Sequence, residues 1–87
     1  MDIKNAQSLI KAKYYEKDST RGLYSTFTWF VEEVGELADA LIKLERDVLE
    51  EELADVFAWL LSIANLVEID LEQAFMKKYG SDERPSS

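Results

Sequence analysis

The sequence contains no cysteine and no histidine. Without cysteine there is no disulfide, no thiolate metal site and no thiol nucleophile. Without histidine, the serine–histidine triad, the histidine-ligated zinc site and the glutamate–histidine di-iron bundle are excluded in their usual forms. Chemistry is left to carboxylates, amines, hydroxyls or a bound metal. Glycine occurs three times and proline once, so few tight turns are encoded and helices are favoured. No apolar run approaches the roughly 18 residues needed to cross a bilayer, and the N-terminus lacks the shape of a signal peptide. Basic residues are outnumbered, 10 against 18 acidic, for a formal net charge of −8. Such a chain repels nucleic-acid phosphates and anionic membranes, and its clustered carboxylates suit hard cations. The expectation is a cytoplasmic protein with neither nucleic acid nor membrane as partner.

What is present suits a small helical domain. With 87 residues, 47% of them hydrophobic, the chain reads as one domain over residues 1–87 with enough apolar material for a core. A domain this small buries only about two-thirds of its unfolded surface, so it gains from self-association. Helical periodicity predicts four helices, at about residues 2–18, 26–44, 47–67 and 70–79. Asp2 is the expected cap of the first. Residues 19–25, STRGLYS, break the pattern, and Ser25 or Thr26 is the expected cap of the second. Phe30, Val34, Leu37, Leu41 and Leu44 form the expected seam of that helix. Asp47 with Glu50, and Asp70 with Gln73, have the spacing of capping boxes for the third and fourth helices. The third carries Leu53, Val56, Phe57, Leu60, Ala64 and Val67 at core spacing. Gly80 is the expected stop of the fourth, with a polar, mobile tail over residues 80–87.

Acidic residues recur inside the apolar periodicity. On a helix, residues three or four apart share a face. Glu33 and Glu36 are therefore neighbours, as are Glu52 and Asp55. A short turn near Arg46 makes the second and third helices antiparallel, so both pairs point into one gap. Four carboxylates in one gap raise one another's pKa unless a cation joins them, and an all-oxygen ligand set suits Mg²⁺, with Mn²⁺ as a second choice. Spacing alone fits solvated acidic faces equally well. The interleaved Leu37, Ala38, Leu53 and Ala54 place these faces at the edge of a core, whereas Glu32, Glu50 and Glu51 read as solvated. Trp29 lies one turn before Glu33 and Trp59 one turn after Asp55. They suit either a packed core or an aromatic wall against which a nucleobase stacks. Gly35 costs about 1 kcal/mol against alanine in mid-helix. It allows either another helix or a metal-bound ligand to approach. Lys13, Lys17, Arg21, Lys77, Lys78 and Arg84 are candidate phosphate ligands by charge.

The string EEVGELADAL, followed by EELADVFAWLLSIANLVEIDLEQAFMKKYG, resembles the MazG-like nucleotide pyrophosphohydrolases of the all-α nucleoside triphosphate pyrophosphatase superfamily. The family pattern of ExxE followed by ExxD reads here as Glu33 to Glu36 and Glu52 to Asp55, with Glu32 as the extra acid before the first glutamate. The resemblance covers about residues 27–79. It implies an all-α, four-helix bundle-like fold and Mg²⁺-dependent cleavage of a nucleoside triphosphate between its α and β phosphates, in the service of nucleotide housecleaning. It implies Glu33, Glu36, Glu52 and Asp55 as metal ligands and a homodimer or dimer of dimers. Lys78 and Arg84 match the family's C-terminal phosphate contacts, while Asp82 stands where the family carries asparagine. On that reading Glu32 or Glu33 is the catalytic base, and Trp29 and Trp59 contact the substrate. Superfamily relatives acting on phosphoribosyl-ATP or dUTP would share the metal core. A non-enzymatic acidic helical interaction module is the competing class.

Overall fold

A computed structural model describes residues 1–80 and shows an all-α bundle of four helices: α1 (Ile3–Arg21), α2 (Leu23–Lys43), α3 (Arg46–Leu66) and α4 (Leu71–Tyr79). The expectation of a mobile tail, and Arg84 with it, falls on residues 81–87, outside those described. The central helix is α3, against which both α1 and α2 pack, while α4 lies on α1. The deepest side chains are Leu61 and Thr26, with Ala40 and Ala64 beside them.

Helix ends follow local chemistry, with two corrections to the expected boundaries. Asp2 caps α1 by accepting from the Asn5 N–H at 2.7 Å, and Asp70 caps α4 by accepting from the Gln73 N–H at 3.1 Å. Residues 19–25 are not a loop. The chain stays helical to Arg21 and resumes at Leu23, so Gly22 alone separates the helices, with φ 94° and ψ 163°. Only glycine enters that region at low cost, and one such residue redirects the chain without a longer turn. Thr26, one of the two hydroxyls read as caps, is buried instead, its Oγ1 donating to the Gly22 carbonyl at 2.8 Å; Thr28 Oγ1 likewise donates back, to the Tyr24 carbonyl at 2.9 Å. The Asp47 capping box does not form either. Glu45 occupies the cap position of α3 without a side-chain bond, and Asp47 sits in the first turn, where its charge complements the positive end of the helix dipole. The α2–α3 hairpin turns on Leu44 in the left-handed conformation, φ 55°.

The seam of α2 is also rotated from the expected one. Thr26, Phe30, Glu33, Leu37 and Ala40 form the buried or half-buried stripe, at the same 4-3-4-3 spacing but one position over. Val34, Leu41 and Leu44 are 41%, 52% and 68% exposed. The helix therefore has two apolar stripes. The one turned inward includes a glutamate, and the other, with Phe27 and Val31, faces outward. Leu53, Phe57 and Leu60 on α3, and Val67 at its C-cap, all expected in the core, are likewise exposed.

Gln7 ties α1 to the far end of α3. Its Nε2 donates to the Ile69 carbonyl at 2.7 Å and its Oε1 accepts from the Leu71 N–H at 2.9 Å. Its own carbonyl accepts from Asn65 Nδ2 at 3.2 Å. These bonds fix the α3–α4 turn, in which Glu68 holds a positive φ of 58°.

Candidate metal centre

The antiparallel packing of α2 on α3 brings the acidic pairs together. One carboxylate oxygen each from Glu33, Glu36 and Glu52 lies within 4.8 Å of the others. Glu33 Oε2 and Glu52 Oε2 are closed off from solvent and have no hydrogen-bond partner. A buried acceptor without a donor costs roughly 1–3 kcal/mol, more when charged. The Glu33 carboxyl is pushed up to about 7, by burial first, then by Glu36 beside it and by the charges of Asp55 and Glu52. Asp55 is outside the tight trio and is exposed, yet its charge reaches Glu33. Orphaned oxygens from two helices, converging in a site that resists ionising all its acids, fit a divalent cation with hard-oxygen preference.

Two openings flank the centre. An open groove on one side is lined by Glu32, Glu36, Asp39, Glu45 and Glu52, with Lys43 the one base among its lining residues. Lys43 is already paired to Asp39 at 3.0 Å. Gly35 also lines this groove, and a Cβ built there meets nothing within 4 Å, so its absence makes no room for any other helix of the same chain. On the other side a cleft of about 250 Å³ opens between the end of α1 and α3, bordered by Asp55. Trp59 lines this cleft and stacks on Trp29, ring centroids 6.3 Å apart and planes 17° apart. The Arg21 guanidinium lies 5.0 Å from the Trp59 ring centroid and donates to Asp18 Oδ1 at 2.7 Å.

Of the site residues read from the sequence, Glu33, Glu36 and Glu52 converge, Asp55 and Glu32 border the same centre, and the two tryptophans meet beside it. Lys78 is on α4, which packs on α1, and its ammonium lies 5.5 Å from the Tyr79 ring centroid. Buried Asp18 and Ser62, and Tyr14 at the cleft rim, belong to no motif. On the α1 side of that cleft, only the charge of Arg21 and Lys17 marked the region in the sequence. A comparison with curated proteins finds no match for the chain. Residues 21–83, by contrast, match the family model of the MazG nucleotide pyrophosphohydrolase domain. The match spans most of the chain, begins at Arg21 and takes in every carboxylate of the centre and both tryptophans. On that match the chain belongs to the MazG nucleotide pyrophosphohydrolase domain family.

Proposed function

We propose that the protein is a divalent-metal-dependent nucleoside triphosphate pyrophosphohydrolase that releases a nucleoside monophosphate and pyrophosphate, acting in the cytoplasm on the nucleotide pool. The observation that carries this reading is that Glu33 and Glu52, on two helices, each keep a solvent-shielded, partnerless oxygen and share with Glu36 a cluster of carboxylates within 4.8 Å. Glu33, Glu36, Glu52 and Asp55 would hold Mg²⁺, or Mn²⁺ in its place. When bound, such an ion neutralises phosphate charge and acidifies a nearby water.

The chain's own groups do the rest. Water attacks the α phosphorus, and Glu33 or Glu32 accepts its proton. The α–β phosphoanhydride bond breaks, and its electron pair leaves with pyrophosphate. A carboxylate oxygen that the ion leaves unused serves as the general base near neutral pH. Trp29 and Trp59 supply the wall for the nucleoside, and Lys78 and Arg84 are the phosphate-binding cations of this reading. A second copy of the chain covers the outward apolar stripes of α2 and α3, completing a homo-oligomer.

The test is pyrophosphate release from ribo- and deoxynucleoside triphosphates with Mg²⁺. Release that stops in EDTA and falls at least about 100-fold in Glu36→Ala is expected, a loss in the range seen when transition-state charge stabilisation is removed. Release that survives EDTA sinks the proposal. If no triphosphate is cleaved while Mg²⁺ still raises the melting temperature, the site is metallic but serves another phosphate substrate.

A further inference from the structure

The two openings beside the acidic centre differ in charge. The groove carries five carboxylates against one lysine, and it repels a nucleotide's phosphates except where a cation screens them. The α1–α3 cleft is balanced: Arg21 matches Asp18, and Lys17 offsets Asp55. Its wall is the flat indole of Trp59, with the Arg21 guanidinium over it. Its volume, about 250 Å³, is below the roughly 300–1,000 Å³ of pockets that enclose a whole drug-sized ligand. It has room for part of a nucleotide, and its neutrality suits the uncharged part.

Asp18 and Ser62 are the buried polar residues of its lining, and Asp18 is the charged one. The Asp18 side chain is 5% exposed, and among the described residues it pairs with Arg21 alone, through Oδ1. The second oxygen keeps its acceptor capacity. An ionised carboxylate accepts and cannot donate. It is satisfied by an exocyclic amino group, which brings two N–H donors, and opposed by a keto oxygen.

We propose that this cleft receives the nucleobase and that Asp18 is its specificity-determining residue, selecting bases that carry an exocyclic amino group over those that present keto oxygens alone. Cytosine, adenine and guanine belong to the first class, and uracil, thymine and hypoxanthine to the second. In the second class the ring N–H is flanked by keto oxygen, so a carboxylate facing it also meets a like partial charge. Arg21 is a positioning residue: it holds the Asp18 carboxylate and keeps the slot electrically neutral. The inference rests on the nucleotide-hydrolase reading and adds the base class to it.

Calorimetric titration of the intact protein, in Mg²⁺, with the pairs CMP and UMP, and AMP and IMP, tests this independently of turnover. The native chain is expected to bind the amino member of each pair at least about tenfold more tightly, as one hydrogen bond to a charged group allows. Asp18→Asn, whose amide also donates, is expected to collapse the ratio. Equal binding within both pairs by the native chain, or an unchanged ratio in Asp18→Asn, would overturn the proposal. Should that variant not fold, Trp59→Leu replaces it: all four nucleotides must weaken, and undiminished CMP binding refutes the cleft as base site. Base preference without pyrophosphate release from CTP sinks the hydrolase reading alone. Release from CTP and UTP alike, with equal binding of their monophosphates, sinks the assignment of Asp18 alone.

Discussion

Glu33 occupies a position in the inward stripe of α2 that a leucine would fill in a bundle built only for stability. Its location makes the fold sensitive to protons in a definite direction. The carboxyl is near 4.5 in an unfolded chain and pushed up to about 7 in the ion-free fold. The fold therefore holds the proton more tightly, and its stability from this group is full below pH 4.5 and is lost as pH climbs toward 7. In EDTA the melting temperature should fall across that window, and Glu33→Gln should flatten the fall. With Mg²⁺, which competes with the proton, stabilisation should grow across the same window and be weaker in Glu33→Gln. A melting curve indifferent to pH in EDTA would contradict this account. That Glu33 and Glu36 are neighbours was legible in the sequence because helical geometry alone fixes which residues three apart share a face, whereas the standing of Asp55 outside the trio they form with Glu52 was not. Asp18 was not legible, because its burial depends on how α1 lies across α3, a tertiary fact with no local spacing to announce it.

At the level of helices, strong punctuation was read well where a side chain did the capping, at Asp2 and Asp70. It was misread where backbone conformation did the work. Gly22 ends one helix and begins the next, so the surrounding hydroxyls, which look like loop chemistry, bond back into their own helix. The α3–α4 corner relies on a single side chain from α1. Gln7→Leu removes two side-chain bonds and leaves the Ile69 carbonyl and Leu71 N–H without partners. A loss of about 1–3 kcal/mol in urea unfolding is expected. Unchanged stability would mean that water replaces Gln7 at no cost. Gly35→Ala has the opposite expectation. Nothing within the chain crowds a Cβ there, so the helix should gain about 1 kcal/mol from the better helix former. Since Gly35 lines the groove beside Glu36, a gain in stability with a loss of pyrophosphate release would identify the glycine as space kept for ligand. A gain with activity intact would show it to be dispensable.

Taken as a whole, the molecule measures 36 × 35 × 26 Å and leaves large apolar side chains on all four helices in solvent, among them the outward stripe of α2. Sequence periodicity identified the apolar residues of α2 and α3 correctly but assigned them to one core. A helix with two apolar stripes has the same residue content as one with a single broad stripe, and only packing shows which stripe is inside. Exposed surface of this kind marks an association site. Sedimentation should give a mass above the 10.0 kDa of one chain. Leu41→Glu, placed in the outward stripe, should shift it toward the single-chain mass and lower the melting temperature in a concentration-dependent way. A native chain sedimenting alone would remove the oligomer from the proposal. The junction at Gly22 has a different meaning at this scale. Ordinary surface loops absorb added length for little entropy, but here one residue joins the helix that supplies Asp18 and Arg21 to the helix that supplies Glu33 and Glu36. An inserted residue that extended either helix would swing it by about 100° against the other. Anyone who splices a tag, a permuted terminus or a second domain into this chain has a hairpin to use at Leu44 and Glu45, and a weld to leave alone at Gly22.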